Sequence, residues 1–226
     1  MLRPLYWVLR WILALALLGF AVACLRVTFG PLATAAGWGS LAASVAWWIF
    51  VGGFFSRWLL ARLPGGDPLE LLDTLEHELT HAVVGTLTFA PPIALSATLR
   101  DGGEVELKRS NPFAALAPYC LPLFAGGLAV LTLILRDGWI TYGRFAVAFL
   151  LGSFFWRLLR EFHFGQSDFR AYGFVFSMFF IAGALPICLL GVADIAHLAD
   201  IGWKNAGVVF TNQCSWIGST LRSLGR

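Results

Sequence analysis

Three residues of this chain have the types and spacing for metal-assisted hydrolysis: His77, Glu78 and His81, in the run His77-Glu78-Leu79-Thr80-His81. On a helix, positions four apart lie one above the other, so both imidazoles can reach one metal ion. Glu78 sits on the rim of that face, placed to take a proton from an attacking water rather than to ligate. The flanks predict a helix over about 68–90, with Asp67 as its cap, Pro68 in its first turn and Pro91-Pro92 to end it. Glu70, Asp73, Thr74, His77, His81 and Thr88 recur near one stripe, and the other faces are Leu, Val and Ala. Ionisable side chains in so apolar a helix are costly, which favours a functional role over a merely solvated face. Asp73, one turn before His77, is expected to accept a hydrogen bond from that imidazole and orient it, with simple cavity lining as the alternative.

The elements that must position this motif are membrane-like. Of 226 residues, 58% are hydrophobic and 13% charged, with a mean hydropathy of +0.76, which excludes an ordinary soluble enzyme. The expectation is an all-α, multi-pass membrane protein of about six transmembrane helices, forming one bundle over residues 1–192. A polar, interfacial tail follows over 193–226, and a cell or inner membrane is the expected location. The formal net charge of +3 is scattered over segment ends, so no nucleic-acid partner is expected; the lipid bilayer is. Cys24, Cys120, Cys188 and Cys214 are far apart and form neither a C-x-x-C pair nor a disulfide framework.

In chain order, spans are expected at about 5–25 and 32–55, then the H-E-x-x-H helix, then about 113–135, 139–159 and 169–192. One stretch breaks this pattern. Leu95, Ala97 and Leu99 alternate with polar residues, as do Val105 and Leu107, and Asp101-Gly102-Gly103 lies between the two runs. Period-two alternation around Asp-Gly predicts a β-hairpin at about 94–108. Pro118 and Pro122 must kink or break the span they begin, which lipid tolerates only against protein or a wet cavity.

A catalytic zinc site needs a third protein ligand. Asp168, after the polar Gly165-Gln166-Ser167, is the first choice. Glu161, His163 and the group Asp194, His197, Asp200 are the rivals. If both spans between His81 and Asp168 cross fully, Asp168 starts on the wrong face of the membrane. Either residues 161–168 dip inward, or the proline-broken segment does not span.

His77-Glu78-x-x-His81 with Gly85 after it, the Ala117-Pro118…Pro122 stretch, and Ser167-Asp168 leading into Gly173-Phe174-Val175-Phe176-Ser177 resemble the site-2 protease class of intramembrane zinc metallopeptidases. The likeness covers roughly residues 67–180. It departs from the class pattern where an Asp-Gly pair is usual, since Phe169 follows Asp168 here. The resemblance implies one Zn2+ per chain held by His77, His81 and Asp168, with Glu78 as general base. It implies a membrane-protein substrate cut within the bilayer. On this reading the hairpin presents substrate, through Leu95, Ala97, Leu99, Val105 and Leu107. Two alternatives stay open: a non-catalytic membrane protein that keeps the fold, such as a metal carrier or assembly factor, and a membrane zinc protease with a Glu third ligand.

Overall fold

A computed structural model describes residues 2–30, 35–64, 66–98, 102–109, 111–163, 165–198 and 203–224. Long apolar runs leave the backbone no partner in lipid but itself, so the chain is mostly helical. Helix α1 is Leu2–Phe29, and α2 (Ala35–Ala43) meets α3 (Val45–Leu60) at Ser44, whose Oγ accepts a 3.4 Å bond from Trp47 N. Helix α4 (Glu70–Leu87) carries the H-E-x-x-H motif and leads into strands β1 (Pro92–Thr98) and β2 (Gly102–Leu107). The proline-broken segment is α5 (Pro112–Leu116), a 3₁₀ turn (Ala117–Tyr119) and α6 (Leu123–Thr132). Then come α7 (Asp137–Glu161), the short α8 (Ser167–Tyr172), α9 (Phe174–Ile195) and α10 (Trp203–Leu224).

Leu5–Phe29, α7 and α9 are long and apolar enough to cross a membrane. Two bent pairs add to them if each counts as one span: Gly37–Ala43 with Val45–Leu60, bent by 71°, and Pro112–Tyr119 with Leu123–Thr132, bent by 76°. The count is therefore three to five among the described residues, short of the six expected. The shortfall is α4. Glu70, Asp73, Glu76 and Glu78 make it too polar to face lipid, and most of its motif is buried in protein instead. Asp67 does not cap α4 directly. Its Oδ1 accepts from Leu69 N at 3.0 Å, in a turn just ahead of the helix. The expected span at 169–192 is also divided. Gly173, at φ +88°, takes a left-handed conformation that separates α8 from α9.

Packing brings the surrounding helices close. Helix α3 lies along α7, where a Cβ on Gly53 or on Gly152 would come within 2.5 Å of a carbonyl oxygen of the other helix. Such small-residue contacts let helices approach where lipid offers no hydrophobic drive. Helix α1 packs on α9 and α10, and Phe20 meets Phe210 edge-on at 5.6 Å. Helix α10, in the expected tail, thus packs against the bundle. Leu116, Tyr119, Phe154, Phe169, Phe176 and Phe180 form a shared core of α5, the 3₁₀ turn, α7, α8 and α9.

The hairpin is present as expected, antiparallel, with Leu95 opposite Val105 and Ala97 opposite Gly103. Leu99 lies outside the described residues. Both strands pack on α4. A Cβ on Gly85 of α4 would meet Leu107 Cδ2 at 3.0 Å. Leu107 thus helps anchor the hairpin on α4.

Candidate metal centre

Helix α4 sets His77 and His81 one turn apart with both rings on the inner face. Their Nε2 atoms face each other at 3.2 Å. Two imidazoles on one tetrahedral zinc at ordinary Zn–N lengths would put those nitrogens ~3.3 Å apart. The outward nitrogens are both engaged. His81 Nδ1 donates to Ala114 O at 2.7 Å, and a carbonyl can only accept. That carbonyl is placed by Asn111, whose Oδ1 accepts from Ala114 N at 2.8 Å and whose Nδ2 donates to Thr88 Oγ1 at 2.9 Å. His77 Nδ1 lies 2.7 Å from Glu161 Oε2 and 2.9 Å from Arg157 Nη1. A carboxylate at that distance requires the hydrogen on Nδ1. Arg157 then serves Glu161 Oε2 at 3.4 Å and Pro118 O at 3.3 Å. Both Nε2 lone pairs consequently point at one spot, which calls for a cation between them, a metal ion or a proton.

Asp168 reaches the same spot. Its Oδ2 is 3.7 Å from His81 Nε2, and ligand atoms of His77, His81 and Asp168 all lie within 4.8 Å of one another. Among the described residues this is the group of three or more such side chains with metal-ligand spacing. Tyr119 OH donates to Asp168 Oδ2 at 3.0 Å, and its ring stands edge-on to His77 with centroids 5.5 Å apart. The donor set of two imidazoles and one carboxylate suits zinc.

The chain bends at both of the places where the sequence allowed it. The proline-broken segment turns sharply, and residues after α7 fold in to put α8 beside Tyr119. Gln166 Nε2 ties that return to Glu161 O at 2.9 Å.

Glu78 is buried, and its side chain lies directly against Gly103 of β2, where any Cβ would clash. The hairpin therefore crosses over the proposed base itself.

Other expected residues fall elsewhere. Asp73 does not orient His77. Side chains on a helix lean towards its N-terminus, so Asp73 reaches away from the next turn. Its carboxylate binds Arg57 Nη2 at 2.6 Å and accepts from Ser153 Oγ. Glu161, weighed as a rival ligand, lies on the outward nitrogen of His77, so a Glu third ligand there does not fit. His163 and His197 are exposed, and Asp200 lies outside the described residues. Sequence reasoning missed Tyr119 and Arg157. The signal for Arg157 and Glu161 was available: two ionisable residues four apart at the end of an apolar helix.

No protein-family model, curated protein or solved structure matches this chain.

Proposed function

We propose that the chain is an intramembrane zinc endopeptidase of the site-2 protease kind, which hydrolyses a peptide bond of a membrane-spanning substrate. The observation that carries this reading is the facing pair of Nε2 lone pairs, with Asp168 beside them and Glu78 on the rim, buried among apolar helices. Zinc held by His77, His81 and Asp168 would act as a Lewis acid and bring the pKa of water towards ~7. Glu78 takes the proton of the attacking water and passes it to the leaving amine. Tyr119 steadies Asp168. Apolar packing from Leu116, Phe169 and Phe154 keeps bulk water from the charges.

A substrate helix hides its peptide bonds in intrachain hydrogen bonds, so it must unwind before attack. In lipid each freed N–H or C=O costs on the order of several kcal/mol unless paired. A strand edge supplies partners by β-addition. The hairpin lies against Glu78, which supports its role in presenting substrate, with Leu95, Ala97 and Val105 on one face. The carrier alternative needs polar residues through several spans, whereas most of the buried polar side chains here lie on α4.

The test is metal content together with cleavage of a reconstituted helical substrate by the full chain. Glu78→Gln should slow cleavage by roughly 10²–10⁴-fold and keep zinc near one per chain. Asp168→Ala should lose zinc and activity together. Zinc lost from Glu78→Gln would show that Glu78 has been given the wrong role. Normal zinc and cleavage in Asp168→Ala would place the third ligand elsewhere.

A further inference from the structure

We infer that Glu161 is the positioning residue of this centre: its carboxylate holds the His77 imidazole with Nε2 turned to the metal, and Arg157 holds the carboxylate. The inference rests on the metal-centre reading above and concerns a group that reading does not use. Glu161 Oε2 is 2.7 Å from His77 Nδ1, on the ring nitrogen opposite the one that faces His81. It cannot ligate the same ion through that position. What it can do is accept the Nδ1 hydrogen, which fixes the tautomer, stops the ring flipping and raises the basicity of Nε2.

The support behind Glu161 is built from three elements. Arg157 lies one turn earlier on α7, only 1% exposed, with its guanidinium over the Phe154 ring at 5.3 Å. Its Nη1 is 3.4 Å from Glu161 Oε2 and its Nη2 donates to Pro118 O at 3.3 Å. The same Nη2 lies 3.9 Å from Glu76 Oε2 on α4, and the other oxygen of Glu76 accepts from Phe124 N at 2.9 Å. A guanidinium pinned from α7, the 3₁₀ turn and α4 leaves the Glu161 carboxylate little freedom. Glu161 also acts through its backbone, since its carbonyl holds Gln166 at the start of the segment that delivers Asp168. One residue thus orients the first ligand and tethers the approach of the third. The two histidines are unequally supported: His77 donates to a carboxylate, His81 to the neutral Ala114 carbonyl.

The experiment is zinc affinity of the purified full chain, read by competition with a chromophoric chelator, with the visible spectrum of the cobalt-substituted protein as a second readout. Glu161→Gln keeps the shape and an acceptor oxygen but not the charge, and should bind zinc about tenfold more weakly; Glu161→Ala should approach 100-fold. The cobalt band should keep its position and intensity in Glu161→Gln, because the ligand set is unchanged. Glu106→Gln, an exposed acid on β2, should bind zinc like the parent chain. If Glu161→Ala does not fold, Glu161→Gln carries the test alone. Unchanged zinc affinity in the Glu161 variants, with Asp168→Ala weakened, overturns this inference and leaves the metal centre standing. A cobalt band altered as in Asp168→Ala also overturns it, by making Glu161 a ligand. No zinc binding by the parent chain removes both.

Discussion

Helix α4 carries two buried polar clusters one turn apart, and they are built on opposite principles. At the first, Arg57 donates to Asp67 and Asp73 at 2.8 and 2.6 Å and to Ser153 at 2.9 Å. Arg160 closes the outer side against Glu70. Cations and carboxylates answer each other there. Asp67, in the loop before α4, shows the balance: burial pushes its carboxyl up, but Arg57 and the Leu69 N–H more than offset this and hold it below the ordinary value. At the second cluster, ligand atoms of His77, His81 and Asp168 converge within 4.8 Å of one another. A closed network braces helices, whereas an open set of converging acceptors is a place for a cation. Proximity on one helix does not make the two alike. What separates them is whether the groups answer each other within the cluster or converge on one spot.

The largest effect expected from breaking this contrast is in the closed cluster. Asp73→Ala leaves the Arg57 guanidinium partly uncompensated in the bundle and should cost about 3–5 kcal/mol of stability. Thermal unfolding in detergent measures this, and zinc affinity of the folded protein should be unchanged. Loss of zinc at normal stability would show that the two clusters are one. Next is the hairpin, which touches the open cluster through Gly103 on Glu78. Val105→Pro removes a backbone donor and disrupts β2. Cleavage should fall roughly tenfold or more, about the 1.4 kcal/mol that one lost transition-state contact represents, with metal content and unfolding temperature intact. Full activity in that variant would end the proposed role of the strand. The smallest effect is Tyr119→Phe, which deletes one hydrogen bond to Asp168 and should weaken zinc by about 2- to 10-fold, the value of ~0.5–1.5 kcal/mol. A titration that matches the parent chain would mean that Asp168 needs no such support.

The parts legible in the sequence are those that local geometry decides. Residues four apart share a helix face, so the pairing of His77 with His81 followed from spacing alone, as did the rim position of Glu78. Alternation around Asp101-Gly102 was enough for the hairpin, because side-chain period and turn chemistry act over a few residues. Two prolines four apart foretold the break between α5 and α6.

Tertiary structure decided everything that depends on which helix is whose neighbour. The meeting of Asp168 with the two histidines needed the sharp turn after α5 and the return after α7; the prolines mark that the first break occurs, but not which way the chain turns there or what it then meets. Asp73 and Glu161 both departed from their expected parts for the same reason. Asp73 stands at helical spacing from His77, yet its side chain leans towards the N-terminal end of α4, where α3 presents Arg57. Glu161 is remote in sequence, but α7 packs alongside and brings its carboxylate to the outward nitrogen of His77. Spacing along a helix tells which residues share a face; only packing tells what that face meets, because a buried charge is defined by its partner.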